Sequence, residues 1–303
     1  MDAKYGEFTG VSDIYYALVS ADTAAAYEAG TPTLLAPAAS VVSTPSVTSK
    51  PTYYSNSPAN NYVSEGATEV KMVIPNLPAG IMATLLGKYY DEASGRVYDD
   101  GTPNPPYIAL GFKVNIGQEN SRFYWFLKGT CQGGAEEGET RTDQINEKTY
   151  ELTFTALVTT HKFTVGSDTK PIKRVFADDT DAAFTNGADW FSQVQTPSTS
   201  GAPDAIALSS IAPEDGAESV EVTANVVLTF NNKIADYSGI VLINSATGAV
   251  IAAASSIDAT GKIVTLDPTE SLPAATKIYV GVIGVTDIFG QVLASTTKSF
   301  TTA

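Results

Sequence analysis

The apolar positions of this 303-residue chain fall in short runs of period two, separated by Gly, Pro, Asn, Asp, Ser and Thr, which is the punctuation of a β protein. Residues 11–21 (VSDIYYALVSA) mix β-branched, aromatic and polar side chains as a first strand does, and the Ala-rich stretch 22–30 reads as a connection. In residues 68–74, Val70, Met72 and Ile74 alternate with Glu69 and Lys71, the signature of a half-buried strand. Residues 107–116 and 122–130 form the strongest strand signals, with Gly117 to Asn120 as the turn between them. Residues 148–163 (KTYELTFTALVTTHKF) return as another long alternating run. One helix is predicted over PAGIMATLLG, with Pro78 in its first turn, Ile81, Met82, Leu85 and Leu86 on its apolar side and Gly87 at its end. Residues 178–195 predict a second short helix or a turn that packs Phe184, Trp190 and Phe191. The fold class is therefore all-β with one or two short helices.

Two stretches break the alternation. Residues 45–66 (PSVTSKPTYYSNSPANNYVSEG) hold three prolines in a run of Ser, Asn and Tyr, which predicts a long loop or flexible arm rather than a core element. Tyr53, Tyr54 and Tyr62 are its candidate docking residues, because a tyrosine ring covers much surface at low entropic cost. Residues 132–143 (QGGAEEGETRTD) form a second polar loop, in which Glu136, Glu137 and Glu139 read as solvated carboxylates or as the lining of an aqueous lumen. The stretch TPSTSGAP then marks a linker, 197–204, between a domain at 1–196 and another at 205–303. Beyond it, apolar runs recur at even spacing, such as VVLTFNNKI, GKIVTLDP and TKIYVGVIGVTD. Roughly six or seven strands in about a hundred residues is the count of an immunoglobulin-like sandwich.

Composition narrows the chemistry. The chain has 33 acidic against 18 basic side chains, a net charge of −15. That balance argues against gripping a phosphate backbone, which needs clustered Lys and Arg, but an acidic wall would let a polyanion slide past. With one Cys and one His, no disulfide within the chain and no Cys/His zinc site are expected. Cys131 reads as a small buried hydrophobe and His161 as an ordinary strand histidine. Asp99 and Asp100, and Asp178, Asp179 and Asp181, read as turn aspartates that bond their own backbone rather than as calcium ligands. No phosphate-binding glycine loop occurs, and nothing nominates a carboxylate pair for glycoside hydrolysis. No cofactor or metal is expected, and no enzymatic activity. The first residues, MDAKYGEF, lack the basic-then-apolar order of a signal segment, so the expectation is a product made and kept in the cytosol.

The first domain resembles the phi13-type major tail proteins of siphophages. The residues that carry this are GVSDIYYA at 10–17, Leu85-Leu86-Gly87, PYIALGF at 106–112, YWFLKG at 124–129, Thr140 and Thr142, and the strand at 147–154. The match runs from about Phe8 to Phe163. The second domain is similar to the bacterial Ig-like (SbsA-like) modules of surface-layer proteins, through IAPEDGA at 211–217, Leu228-Thr229-Phe230, Leu272-Pro273 and VTDIFG at 285–290. The resemblance implies a tail-tube β-sandwich or barrel followed by an Ig-like β-sandwich, in a virion protein that stacks hexameric rings into a non-contractile tail tube. It implies as partners the chain itself, the tail tip or terminator and tape-measure proteins, and double-stranded DNA in passage. It makes residues 45–66 and the acidic loop the candidates for reaching the next ring. For the Ig-like domain it leaves open adhesion to host-surface glycans or an inert decoration. The rival class is a cell-surface or S-layer-type adhesin.

Overall fold

The computed structural model describes residues 6–140, 148–199 and 203–303. Thr142 and Glu147 of the family pattern, and part of the expected linker, lie outside those residues. The chain divides into two compact units, Met1–Ala202 and Pro203–Ala303.

The first unit runs β1 (Phe8–Asp22), β2 (Tyr27–Ala29), β3 (Thr33–Ala36), β4 (Ser40–Tyr54), β5 (Ser57–Ile74), α1 (Ala79–Leu86), β6 (Tyr89–Asp91), β7 (Arg96–Tyr98), β8 (Ile108–Ile116), β9 (Asn120–Gly133), β10 (Tyr150–Ala156), β11 (Lys162–Val165), β12 (Asp168–Pro171) and β13 (Arg174–Asp178). Nine of these strands form one curled antiparallel sheet in the order β2-β1-β8-β9-β10-β5-β4, with β3 added on β1 and β13 on β9. The small ladders β6-β7 and β11-β12 stand apart from it.

The centre of the sheet is covered on both faces, and its sequence shows it. Ile108, Leu110 and Phe112 of β8 and Phe126 of β9 pack on one side with Val70, Met72, Leu85 and Phe154. Ala109, Phe123, Trp125 and Leu127 point the other way, against Phe163, Trp190 and Val194. Two buried faces explain why residues 123–127 are an unbroken apolar run rather than an alternation. Gly111 is required here, since a Cβ at that position would lie 2.9 Å from the Trp125 indole. Trp125 donates its indole N–H to the Trp190 carbonyl at 3.0 Å, which satisfies the one polar atom it buries. Helix α1 closes the first face and stops at Gly87, whose left-handed backbone (φ 67°) lets its N–H and the next cap the last turn.

Three expectations change and a fourth is narrowed. Residues 45–66 are not a loop but the distal half of the β4-β5 hairpin, discussed below. The Ala-rich connection contains β2, which pairs with the end of β1. The run 148–163 is broken between β10 and β11, so His161 sits in the bend before β11 rather than in a strand. Of the two alternatives for residues 178–195 the turn is the one observed: beyond Asp178, the end of β13, residues 179–195 run through successive turns that pack Phe184, Trp190 and Phe191, with Phe191 stacked on Tyr15 at 4.5 Å.

The second unit contains β14 (Leu208–Ala212), β15 (Ala217–Val220), β16 (Val226–Phe230), β17 (Ile234–Asp236), β18 (Ile240–Asn244), β19 (Val250–Ile251), β20 (Ala253–Ile257), β21 (Ile263–Pro268), β22 (Lys277–Val282), β23 (Thr286–Asp287) and β24 (Thr296–Thr302). A four-stranded sheet, β14-β16-β21-β20, faces a five-stranded one, β15-β24-β22-β18-β19. Between them Leu228, Phe230, Leu242, Val264, Val280 and Phe300 form the core of an Ig-like sandwich. The expected six or seven strands are present together with very short ones of two to four residues, which carry too few positions for a period to register. The VTDIFG motif also finds a cause. Buried Asp287 accepts N–H bonds from Phe289 and Gln291 at 2.9 and 2.8 Å and an amide bond from Asn232 at 2.9 Å, which fixes the turn after β23.

Candidate assembly surface

The β4-β5 hairpin begins inside the sheet and ends outside it. Its base is anchored because β5 pairs with β10 from Thr68 to Ile74 and buries Val70, Met72 and Ile74. Between the pairs Pro45↔Thr68 and Val47↔Glu65 the register slips, so that Gly66 and Ala67 oppose Ser46 alone, a β-bulge. Beyond the bulge β5 has no strand partner among the described residues but β4, and every residue from 46 to 66 is exposed except half-buried Thr52. Eight residues of β4 from the bulge to the tip give this arm a reach of roughly 26 Å.

The arm turns through Ser55 and Asn56, both with positive φ (49° and 62°), between the paired residues Tyr54 and Ser57. Two consecutive left-handed residues form the tight turn whose twist matches that of a hairpin, and Asn tolerates that conformation well. Pro45, Pro51 and Pro58 fit because each strand of the arm has one unpaired edge, where a missing N–H breaks no ladder bond. The side chain of Ser49 bonds Asn61 across the strands at 2.7 Å.

All three candidate tyrosines lie on this arm, each exposed by more than 60%. Tyr53 and Tyr54 end β4 just before the turn and, as neighbours in a strand, point to opposite faces; Tyr62 sits further down on β5, opposite Lys50. Val47 and Val63 are exposed as well and share the other face, an apolar contribution the sequence pattern did not single out. Lys50 is the only charged side chain between Ser46 and Ser64.

The acidic loop is elsewhere and does not act as one group. Glu137 and Glu139 converge on Lys148, at 3.7 and 3.4 Å, all three well solvated. Glu136 instead lines a cleft with Leu86, Lys88, Cys131 and Tyr150. Asp99, Asp100 and Asp181 accept the N–H groups of Gly101, Thr102 and Ala183 two residues on, as expected of turn aspartates, and Asp99 also pairs with Lys88. Asp178 and Asp179 do not, since Asp178 ends β13 in a two-point ion pair with Arg122 and Asp179 accepts the Ser121 N–H, both on β9 across the sheet. Cys131 is buried, and that burial pushes its thiol up to about 12. Among the described residues, no three His, Cys, Asp or Glu side chains gather in a way that could hold a metal ion. No helix among them is long and apolar enough to cross a membrane.

One residue the sequence reading missed stands at the root of the arm. Lys173, in the link between β12 and β13, donates from its ammonium to Glu65 Oε1 at 2.5 Å, to the Gly66 carbonyl at 2.8 Å and to Thr68 Oγ1 at 3.0 Å. Its partners lie more than a hundred positions away in the chain, so no local pattern could reveal it.

The first unit is thus a curled β-sheet with a solvated, largely uncharged hairpin at its edge. Residues 40–194 match the family model described as phage tail tube protein, and the chain belongs to that family. The family is one of structural virion proteins. Residues 202–302 match the model described as bacterial Ig-like domain. No curated protein matches the chain. Among solved structures, similarity is found to the N-terminal part of the bacterial S-layer protein SbsC, at 14% identity and a TM-score of 0.27, covering 32% of this chain and 23% of that one. The chain thus spans less than a quarter of that structure, and a likeness this weak carries no argument.

Proposed function

We propose that this protein is the major tube subunit of a non-contractile siphophage tail, made in the host cytoplasm, stacking as hexameric rings around a channel for double-stranded DNA. The observation that carries the reading is the arm. An isolated two-stranded hairpin is marginal in water, and one that keeps its tyrosines and valines solvated gains its stability when a neighbour covers it. In a stacked tube the neighbour is the next copy of the chain, with Tyr53, Tyr54 and Tyr62 as the docking side chains. Joining sheets edge to edge around a closed ring also removes the exposed edges of the curled sheet.

Charge supports the channel. Residues 1–203 hold 23 acidic and 14 basic side chains, and residues 204–303 hold ten and four. A tube body at −9 repels DNA weakly enough to admit it and too strongly to bind it. Glu136, Glu137 and Glu139 are the loop we assign to the lumen or to the neighbouring ring. The Ig-like unit, beyond a linker at 197–204, decorates the exterior, where repetition along the tube would add up weak contacts to host-surface glycans. The tail tip or terminator and the tape-measure protein are the further partners of such a tube.

Negative-stain electron microscopy of the purified full chain at high concentration tests this directly. Hollow tubes of regular axial repeat bearing external knobs are expected. Dispersed monomers, even with a tail-tip nucleator added, would refute the reading and favour the cell-surface adhesin.

A further inference from the structure

The root of the arm holds a device that neither the family nor the sequence pattern assigns. The bulge at Gly66 and Ala67 is a natural hinge, because there the ladder loses its regular bonds just where β5 parts from β10. Beyond it, among the described residues, the arm's two strands pair only with each other, and one side chain of the body reaches its root. Lys173 reaches across from the body and binds both sides of the bulge at once: Glu65 on the arm, Thr68 in the sheet and the Gly66 carbonyl between them. An ammonium has three protons to donate, and all three are used.

Lys173 is itself firmly held. Its carbonyl accepts the Leu127 N–H of β9 at 3.0 Å, and the residue before it, Ile172, is bonded both ways to Thr159. Its side chain is 12% exposed, whereas that of Glu65 is half exposed. The Lys173 ammonium beside Glu65 also holds that carboxyl below its ordinary value.

We infer that Lys173 is a positioning residue for assembly: it fixes the angle at which the arm leaves the body, so that the tip arrives in register with its site on the next copy. The inference rests on the arm being an assembly element, but the clamp itself does not. Leverage makes the angle matter. On an arm of roughly 26 Å, a swing of about 10° at the bulge displaces the tip by about 4–5 Å, close to one strand spacing. A preset angle also removes an ordering cost that each docking event would otherwise carry.

The test measures the arm in the unassembled full chain and the tubes separately. Spin labels at S55C on the tip and E119C on an exposed turn of the body report the arm's angle as a distance distribution; buried Cys131 stays unlabelled. With Lys173 present a single narrow distance is expected. K173M, and E65Q as a milder variant that removes only a solvated carboxylate charge, should broaden it at least twofold, while K173R keeps it narrow. The concentration needed for tube formation should rise about tenfold in K173M and return towards the original in K173R. A distribution that stays narrow in both K173M and E65Q overturns the clamp, whatever the tubes do. A distribution that broadens while tubes form at unchanged concentration upholds the clamp and instead sinks the reading of the arm as an assembly element.

Discussion

The centre of the first sheet and the tip of its arm are both antiparallel β-structure, yet they persist for opposite reasons. Strands β8 and β9 bury side chains on both faces, with Trp125 and Phe126 completely enclosed. The distal arm buries nothing: its order comes from a tight turn at Ser55-Asn56, its cross-strand ladder and the Lys173 clamp at its root. The contrast teaches that one strand can serve two masters. Strand β5 belongs to the core from Thr68 onward and to the solvent before Gly66, and the bulge marks the change of role.

The comparison is sharpened most by W125A. Removing a fully buried indole leaves a cavity and takes from the Trp190 carbonyl one of its two donors, leaving Gln195 Nε2 at 3.2 Å, so chemical denaturation should show a loss of roughly 3–5 kcal/mol. A loss below about 1 kcal/mol would mean that the sheet centre is no better packed than the arm.

A smaller effect is expected at the ion pair that ties β1 to β9. Asp22 accepts the N–H groups of Thr160 and His161 and meets the Lys128 ammonium at 2.6 Å, and both side chains are largely buried. Burial pushes the Asp22 carboxyl up, but the His161 and Thr160 N–H groups and Lys128 together outweigh it and hold the group below its ordinary value of 3.8. A carboxyl lowered in the folded state contributes stability that is present above its unfolded value and is lost as the pH falls through its folded value. D22N should therefore cost about 3 kcal/mol at pH 7, because Lys128 is left without its anion. The cost should shrink on acidification below 3.8. An equal cost at pH 7 and pH 3 would show that the charge is irrelevant. The solvated Lys71–Glu69 pair, by contrast, should contribute less than about 1 kcal/mol at any pH.

The same contrast explains what the sequence could disclose. Where a face is buried, apolar period and turn chemistry are legible: β8, β9, the helix between Pro78 and Gly87, and the Ig-like sandwich can all be read from residues alone. The arm could not be read as strands, because period two records a difference between two faces and here both faces are wet. Its three prolines and its Ser-Asn turn, in place of Asn-Gly, pointed further towards a loop. Its tyrosines were nevertheless conspicuous, since so many rings in a polar stretch have no core to serve. Short strands such as β2, hidden among alanines, and β17 and β23 were too brief to register. The clamp at Lys173 was beyond reach because lysine is ordinary at any surface and only the fold brings it to Gly66.

The central claim is that residues 46–66 are built to be covered by another copy of the chain while the Ig-like unit is not. Hydrogen–deuterium exchange of the full-length protein, compared before and after tube formation, measures that most directly. Arm amides from Ser46 to Gly66 should become at least tenfold slower to exchange on assembly, while those of residues 205–303 change little. If the arm exchanges equally fast in both states, or if protection appears instead across the Ig-like unit, the assignment of assembly to the arm is wrong.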